Sequence, residues 1–232
     1  MLSKMKSLFK RKGYKLNTRP YELNIVGVRS TQAQPNRFDD EIHVFYKTGV
    51  LNWEYHIFKA TTDPGTYWLK NPMNLQGTAI LAEGQYKNAY KLGLHKGQYL
   101  ALVQIGKVSV IRDFNRNNSL DFFSGKQVNG YYGINIHRAS LRGITKYVDK
   151  YSAGCQVFSN ISDFNKFLAM CKKHRDLYSN KFNYTLIDNR MIQRRSLQFI
   201  ALTAGVLALS AVAITYYLTE NEQIIKHPKD KR

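Results

Sequence analysis

Residues 132–158 read YGINIHRASLRGITKYVDKYSAGCQVF, and most of the expected fold and chemistry follows from them. A run rich in β-branched and aromatic residues, typical of a strand, ends at His137. Cys155 follows 18 residues later, directly after the small residues Ala153 and Gly154. Small residues before a cysteine favour a tight turn, in which backbone N–H groups can point at one spot and form an oxyanion hole.

A cysteine at such a turn needs a base to become a thiolate, and His137 is the candidate. Cys155 is therefore the candidate nucleophile. The common alternative for a free cysteine is a small buried residue, and this is the interpretation for Cys171, which lies on the apolar side of a predicted helix. A disulfide between Cys155 and Cys171 is the other alternative, disfavoured if the domain meets the cytosol.

The segment resembles the catalytic core of the L,D-transpeptidases of peptidoglycan. That family carries a histidine at the end of a strand, then Ser/Thr-His-Gly-Cys, an Asn-x-Asp element that opens a helix, and a closing strand. The resemblance covers about residues 131–188. The matching positions are Ile136-His137, Ser152, Gly154 and Cys155, then Asn160–Asp163 at the helix start, and Phe182–Ile187 as the closing strand.

The resemblance implies that Cys155 is the nucleophile and His137 the base. It further implies an oxyanion hole shaped by the backbone of Ser152, Gly154 and Cys155, in a turn that also contains Ala153. We expect no cofactor and no metal.

Two positions depart from the family pattern. Ala153 stands where the family has a histidine, and Val157 stands where it has an arginine. Loss of that arginine leaves the carboxylate of the stem peptide without its usual partner. Arg138 and Arg142 are the substitutes suggested by proximity, so the chain resembles a divergent member, and a phage or prophage origin is one alternative.

The chain from residue 17 to residue 190 is predicted to form one mostly β domain with one or two helices. Runs of β-branched and aromatic residues are separated by Gly, Pro and Asn. One helix is predicted from Ser162 or Asp163 to about Tyr178, with Ser162 as its N-cap. The predicted strands are Tyr21–Val28, Glu41–Tyr46, Trp53–Lys59, Thr78–Leu81, Tyr99–Gln104, Val108–Arg112, Tyr132–His137 and Phe182–Ile187.

Residues 196–219 contain no charged side chain and predict a single transmembrane helix. At roughly 1.5 Å per residue the run spans about 36 Å, enough for a hydrocarbon core of about 30 Å. A buried core helix is the alternative. The charged tail, residues 220–232, follows the span. Basic residues are equally numerous on its two sides, so the side of the membrane that holds the β domain stays open.

The 232 residues carry 35 basic and 16 acidic side chains, a formal net charge of +19. This composition excludes a disordered tail, a collagen-like chain and a small disulfide scaffold. The basic N-terminal segment, residues 1–16, contains six bases and no acid. Its apolar residues have helical spacing, so it is expected either to lie on an anionic membrane or to fray in solvent.

Other motifs are weak. No glycine-rich phosphate loop follows a strand, and His43, His56 and His95 lack the spacing of zinc ligands. The loop 113–121 alternates oxygen-bearing side chains as a calcium loop does, but Asn118 and Ser124 stand where such a loop needs Gly and an acid. A hydrogen-bonded turn is the expected structure, and no specific nucleic acid is expected as a partner.

The leading hypothesis is a membrane-anchored cysteine acyl-transfer enzyme acting on peptidoglycan stem peptides. No export signal precedes the domain, although peptidoglycan lies outside the membrane. Three alternatives would each resolve this conflict: a phage lysis enzyme, insertion with the N-terminus outside, or a cytosolic muropeptide substrate. The alternative function is a non-catalytic tail-anchored adaptor, or a phage virion or lysis component, whose basic surface binds membrane, cell wall or nucleic acid.

Overall fold

Two sheets carry the candidate site: a closed sheet of eight strands and a smaller sheet of three. The computed structural model describes residues 1–190. The strands in this range are β1 (Asn24–Arg29), β2 (Asp40–Lys47), β3 (Trp53–Thr61), β4 (Thr78–Leu81), β5 (Gly84–His95), β6 (Tyr99–Gln104), β7 (Val108–Asp113), β8 (Gln127–Gly130), β9 (Ile136–Arg138), β10 (Gln156–Phe158) and β11 (Phe182–Asp188). The helices are α1 (Leu2–Lys12), α2 (Thr66–Lys70) and α3 (Ile161–Leu177), with a 3-10 turn at Asp149–Tyr151.

The closed sheet has the strand order β1-β11-β5-β6-β9-β10-β3-β2, and the small sheet has the order β4-β7-β8. Two pairings in the closed sheet are parallel, β1 with β11 and β9 with β10. Parallel neighbours need a long connection. The segment between β9 and β10 is such a connection, and it contains most of the stretch quoted at the outset.

The mostly β class predicted from the sequence is confirmed. The bounds of β4 and β6 are those predicted. The prediction of Ser162 as the N-cap of α3 is wrong. Asn160 caps the helix, and its Oδ1 accepts the Ser162 N–H at 2.9 Å. Strand β5 was missed because polar residues interrupt its apolar alternation, and it is defined by its pairing with β6 and β11.

The N-terminal basic segment forms helix α1, which packs against the closed sheet. Met5, Leu8 and Phe9 are buried. The Phe9 ring lies edge-on to Phe45 of β2, with centroids 5.9 Å apart, and Lys6 Nζ lies 3.9 Å from the ring centroid of Trp53. The expectation of a frayed end is therefore wrong. The apolar side of α1 is covered by protein, so it does not face a lipid surface.

A buried ionic cluster around Arg29 joins strands of the closed sheet to the small sheet. Arg29 is fully buried, and its Nε lies 2.7 Å from Asp63 Oδ1 while its Nη1 lies 3.3 Å from Asp188 Oδ2. Its Nη2 donates to the backbone oxygens of Thr62 at 3.1 Å and Leu81 at 3.0 Å. One side chain thereby ties β1, β11, the end of β3 and the end of β4 together.

The predicted span, residues 196–219, and the tail, residues 220–232, lie outside the described residues. Within residues 1–190, no helix is long and apolar enough to cross a membrane.

Candidate active site

The parallel pairing of β9 and β10 places Cys155 and His137 on one face of the closed sheet. His137 lies opposite Val157 in the register, and Cys155 directly precedes β10. Side chains alternate along a strand, so Cys155, two residues before Val157, points to the same side as His137. Both line a cavity of about 280 Å³, here called the Cys155 cavity. Its walls also include Trp68, Met73, His95, Lys96, Tyr132 and Lys150.

His137 is held in one orientation by its own strand. Its side chain is buried, and Nδ1 lies 2.8 Å from the backbone oxygen of Arg138. The Tyr99 hydroxyl donates to the same oxygen at 3.4 Å and lies 3.2 Å from Nδ1. A carbonyl can only accept, so Nδ1 carries the hydrogen and Nε2 keeps its lone pair. The neutral imidazole is therefore oriented to act as a base.

A second histidine stacks on His137. The ring of His95 lies 4.1 Å from the His137 ring, with 24° between their planes, and Asn135 Nδ2 donates to His95 Nδ1 at 3.0 Å. Burial, and secondarily His95, lowers the pKa of His137 to about 3. The sequence offered no signal for His95, because it belongs to β5 and only the order β5-β6-β9 brings it here.

The Cys155 thiol has hydrogen-bond partners other than His137. Its Sγ accepts the Asn135 N–H and donates to the Gly133 oxygen, each at 3.4 Å. Within residues 1–190 it forms no hydrogen bond with His137. Burial raises the pKa of Cys155 to about 11, although the Asn135 N–H opposes this. The resting pair is thus a thiol and a neutral imidazole facing the same cavity.

The turn before Cys155 has the conformation that only glycine adopts readily. Gly154 has φ of +117°, and a Cβ there would collide with the backbone oxygen of Ala79. Ser152 Oγ accepts the Gly154 N–H at 3.1 Å and donates to the Cys155 oxygen at 2.8 Å. Sequence reasoning anticipated the tight turn, but not this use of the serine hydroxyl.

These hydrogen bonds change which groups are available to form the expected oxyanion hole. The Gly154 N–H is occupied by Ser152 Oγ, so it is not available to a substrate. Ser152 acts through its side chain and is fully buried. Within the described part of the chain, the backbone N–H of Cys155 has no acceptor, which makes it the candidate oxyanion donor. Ala153 lines the Cys155 cavity.

The arginines suggested as substrate ligands lie elsewhere. The Arg138 guanidinium carbon lies 3.8 Å from the ring centroid of Tyr99, so Arg138 supports the tyrosine beside His137. Arg142 is exposed in the β9–β10 connection. Neither lines the Cys155 cavity, whose cationic wall residues are Lys96 and Lys150.

The structure explains the remaining weak motifs of the sequence. Both cysteines are free, and Cys171 is buried in the core, so they form no disulfide. In the loop 113–121, Asp113 Oδ2 accepts the Asp121 N–H at 3.0 Å, and Asn117 Oδ1 accepts the Ser119 N–H at 2.7 Å. These two oxygen atoms therefore bond to the loop's own backbone. Across residues 1–190, no group of three His, Cys, Asp or Glu side chains is placed to hold a metal ion.

Comparisons of the chain with protein-family models, with curated proteins and with solved structures find no match. The site's class therefore rests on its geometry: a cysteine and a tautomer-fixed histidine share one cavity beside a glycine turn.

The neutral state of the pair predicts how Cys155 reacts with iodoacetamide. Only the thiolate reacts, and a thiol of pKa about 11 is protonated throughout the neutral range. The alkylation rate of Cys155 is expected to rise about tenfold per pH unit between pH 6 and pH 9 without a plateau. Mass spectrometry of the Cys171→Ala chain measures this rate. A plateau below pH 7 would show a thiolate–imidazolium pair and contradict the prediction.

Proposed function

We propose that this chain is a cysteine acyl-transfer enzyme acting on peptidoglycan stem peptides, of the L,D-transpeptidase or L,D-carboxypeptidase/endopeptidase type. The observation that carries the proposal is that Cys155, at a glycine turn, and the tautomer-fixed His137 line one cavity. A cysteine, a positioned base and an oxyanion donor are the parts that acyl transfer needs. The stem-peptide substrate comes from the family resemblance, and the basic surface suits an anionic polymer.

The neutral pair supports a mechanism in which the proton moves during attack. Cys155 Sγ forms a bond to the substrate carbonyl carbon as its proton passes to His137 Nε2, and the carbonyl oxygen takes the negative charge beside the Cys155 N–H. Collapse of this intermediate breaks the C–N bond. The His137 imidazolium then gives its proton to the leaving amine. A thioester on Cys155 and a neutral His137 remain.

The second half of the reaction runs in reverse with a new nucleophile. An amine or a water molecule attacks the thioester carbonyl and gives a proton to His137 Nε2. The C–S bond breaks, and the proton returns to Cys155 Sγ. An amine acceptor makes the chain a transpeptidase, and water makes it a carboxypeptidase or endopeptidase. Anchoring through residues 196–219 belongs to the same proposal.

One observation favours the alternative function, a non-catalytic adaptor that retains the fold. Cys155 Sγ bonds to Asn135 and Gly133 rather than to His137. Catalytic hydrogen bonds are frequently long in the absence of substrate and tighten when it binds. We therefore retain the enzyme as the leading proposal and make the adaptor an outcome of the test.

The test incubates the full-length chain, in mild detergent, with tripeptide and tetrapeptide muropeptides. We expect release of the terminal D-residue or formation of cross-linked dimers. We also expect a hydroxylamine-sensitive acyl adduct, located by mass spectrometry on the peptide that contains Cys155. Absence of both products and adduct would contradict the enzyme proposal, and binding of intact sacculi without turnover would support the adaptor.

A further inference from the structure

Arg112, near the end of β7, is a buried cation without a counter-ion in the described part of the chain. Its side chain is 8% exposed and follows Val108 and Val110 on the buried face of the strand. Its Nη1 donates to the Gly77 oxygen at 3.1 Å, and its guanidinium carbon lies 4.8 Å from the ring centroid of Tyr132. Its Nε has no hydrogen-bond partner among these residues.

Arg29, a fully buried arginine, provides an internal contrast. Arg29 lies against the carboxylates of Asp63 and Asp188, whereas Arg112 has no carboxylate within ion-pair distance in residues 1–190. Buried charges are normally paired, since removing a charge from water is costly. A buried and unpaired guanidinium at a cavity wall is therefore placed to receive an anion from a ligand.

The cavity beside Arg112 adjoins the candidate active site. It measures about 270 Å³ and is here called the Arg112 cavity. Met73, Tyr132 and Ala153 line both this cavity and the Cys155 cavity. The two cavities thus share a wall at the turn that carries the nucleophile.

We propose that Arg112 binds a substrate carboxylate while the scissile carbonyl lies at Cys155. This inference rests on the proposed function and specifies its substrate: a peptide with a free carboxylate close to the bond that is cleaved. Guanidinium binds carboxylate through two parallel N–H···O bonds, and such charge-assisted bonds are strong when shielded from water. Arg112 then takes the role that the resemblance assigns to the position of Val157, which is fully buried.

Two carboxylates of a stem peptide have the required chemistry, that of the leaving residue and that of the donor side chain. Matched peptides distinguish them: one pair carries a terminal carboxylate or a terminal amide, and the other carries the side chain as carboxylate or amide. With the full-length chain, we expect one of the two amidations to lower kcat/KM about 10- to 100-fold.

The variant Arg112→Gln, which keeps a donor for the Gly77 oxygen, is expected to lower kcat/KM by the same factor for the carboxylate peptide only. With the matching amide peptide it should equal the wild type. Arg112→Lys keeps the charge without the paired donors and should show a smaller loss. Equal losses on all peptides would indicate a structural role and overturn the proposal, as would a wild-type chain indifferent to both amidations.

A binding measurement separates this inference from the proposed function. If the wild type cleaves no peptide, calorimetry with the Cys155→Ala chain and the same four peptides still tests Arg112. Binding that requires one carboxylate, and that Arg112→Gln removes, would support the anion site although catalysis failed. Affinities independent of both carboxylates would overturn it. If thermal unfolding shows that Arg112→Gln does not fold, Arg112→Lys and the amide peptides are used to test the anion site instead.

Discussion

Replacing Cys155 with alanine is expected to abolish peptide cleavage by the full-length chain, lowering kcat/KM by about 10⁴-fold or more. In the proposed mechanism the acyl group is carried on Sγ, and no other nucleophile can take its place. Loss of the terminal D-residue from a tetrapeptide, followed by liquid chromatography and mass spectrometry, measures the effect.

The matched control is the other free cysteine. Cys171 is buried in the core on α3, away from the Cys155 cavity. Cys171→Ala should therefore keep kcat/KM near the wild-type value while lowering stability as a small core deletion does. If the Cys155→Ala chain gives the same products at the same rate as the wild type, Cys155 is not the nucleophile and the proposed reaction is wrong.

Replacing Arg29 with methionine is expected to destabilise the chain by about 3–5 kcal/mol at pH 8. The substitution removes the cation that lies against Asp63 and Asp188 and leaves buried carboxylates uncompensated. It also removes the donors to the Thr62 and Leu81 oxygens, which link the end of β3 to the end of β4. Urea unfolding followed by circular dichroism measures the free energy of unfolding.

The destabilisation caused by Arg29→Met should become smaller as the pH falls. The direction of this pH dependence follows from the titration of the buried Asp40 carboxyl. Burial, and then Asp63, raises the pKa of Asp40 to about 7, while Arg29 acts in the opposite direction. A carboxyl whose pKa is raised on folding adds stability when protonated, at low pH, and loses it as the pH rises through that value. Without Arg29 the Asp40 carboxyl keeps its proton to higher pH, so the penalty at pH 5 should be smaller than at pH 8.

Arg142→Met is the control for this second prediction. Arg142 is exposed, and substitutions at such positions typically change stability by no more than about 0.5 kcal/mol. An Arg29→Met chain as stable as Arg142→Met would show that the cluster contributes nothing net. A penalty independent of pH would show that lost packing, rather than uncompensated charge, causes the destabilisation.

The local signals in the sequence were sufficient for several elements. Alternating β-branched and aromatic residues located β4 and β6 at their observed ends. They were insufficient for β5, whose polar residues break the alternation and whose conformation depends on partners in β6 and β11. The local sequence was also insufficient for α1. Six bases suggested a solvated end, and only the contact with Phe45 of β2 shows what the apolar side of the helix covers.

In the candidate site, too, some features are local in the sequence and others depend on the tertiary structure. Cys155 was singled out because a glycine turn is a local feature of the chain, and Gly154 has the positive φ that such a turn requires. His137 was singled out as the end of a strand predicted over Tyr132–His137, but it lies at the centre of the shorter strand β9, Ile136–Arg138. Three properties depend instead on residues far apart in sequence. They are the stacking of His95 on His137, the raised pKa of the thiol, and the cavity beside Arg112. Charge state and ligand specificity depend on burial and on neighbours from other strands, and those are set only when the sheet closes.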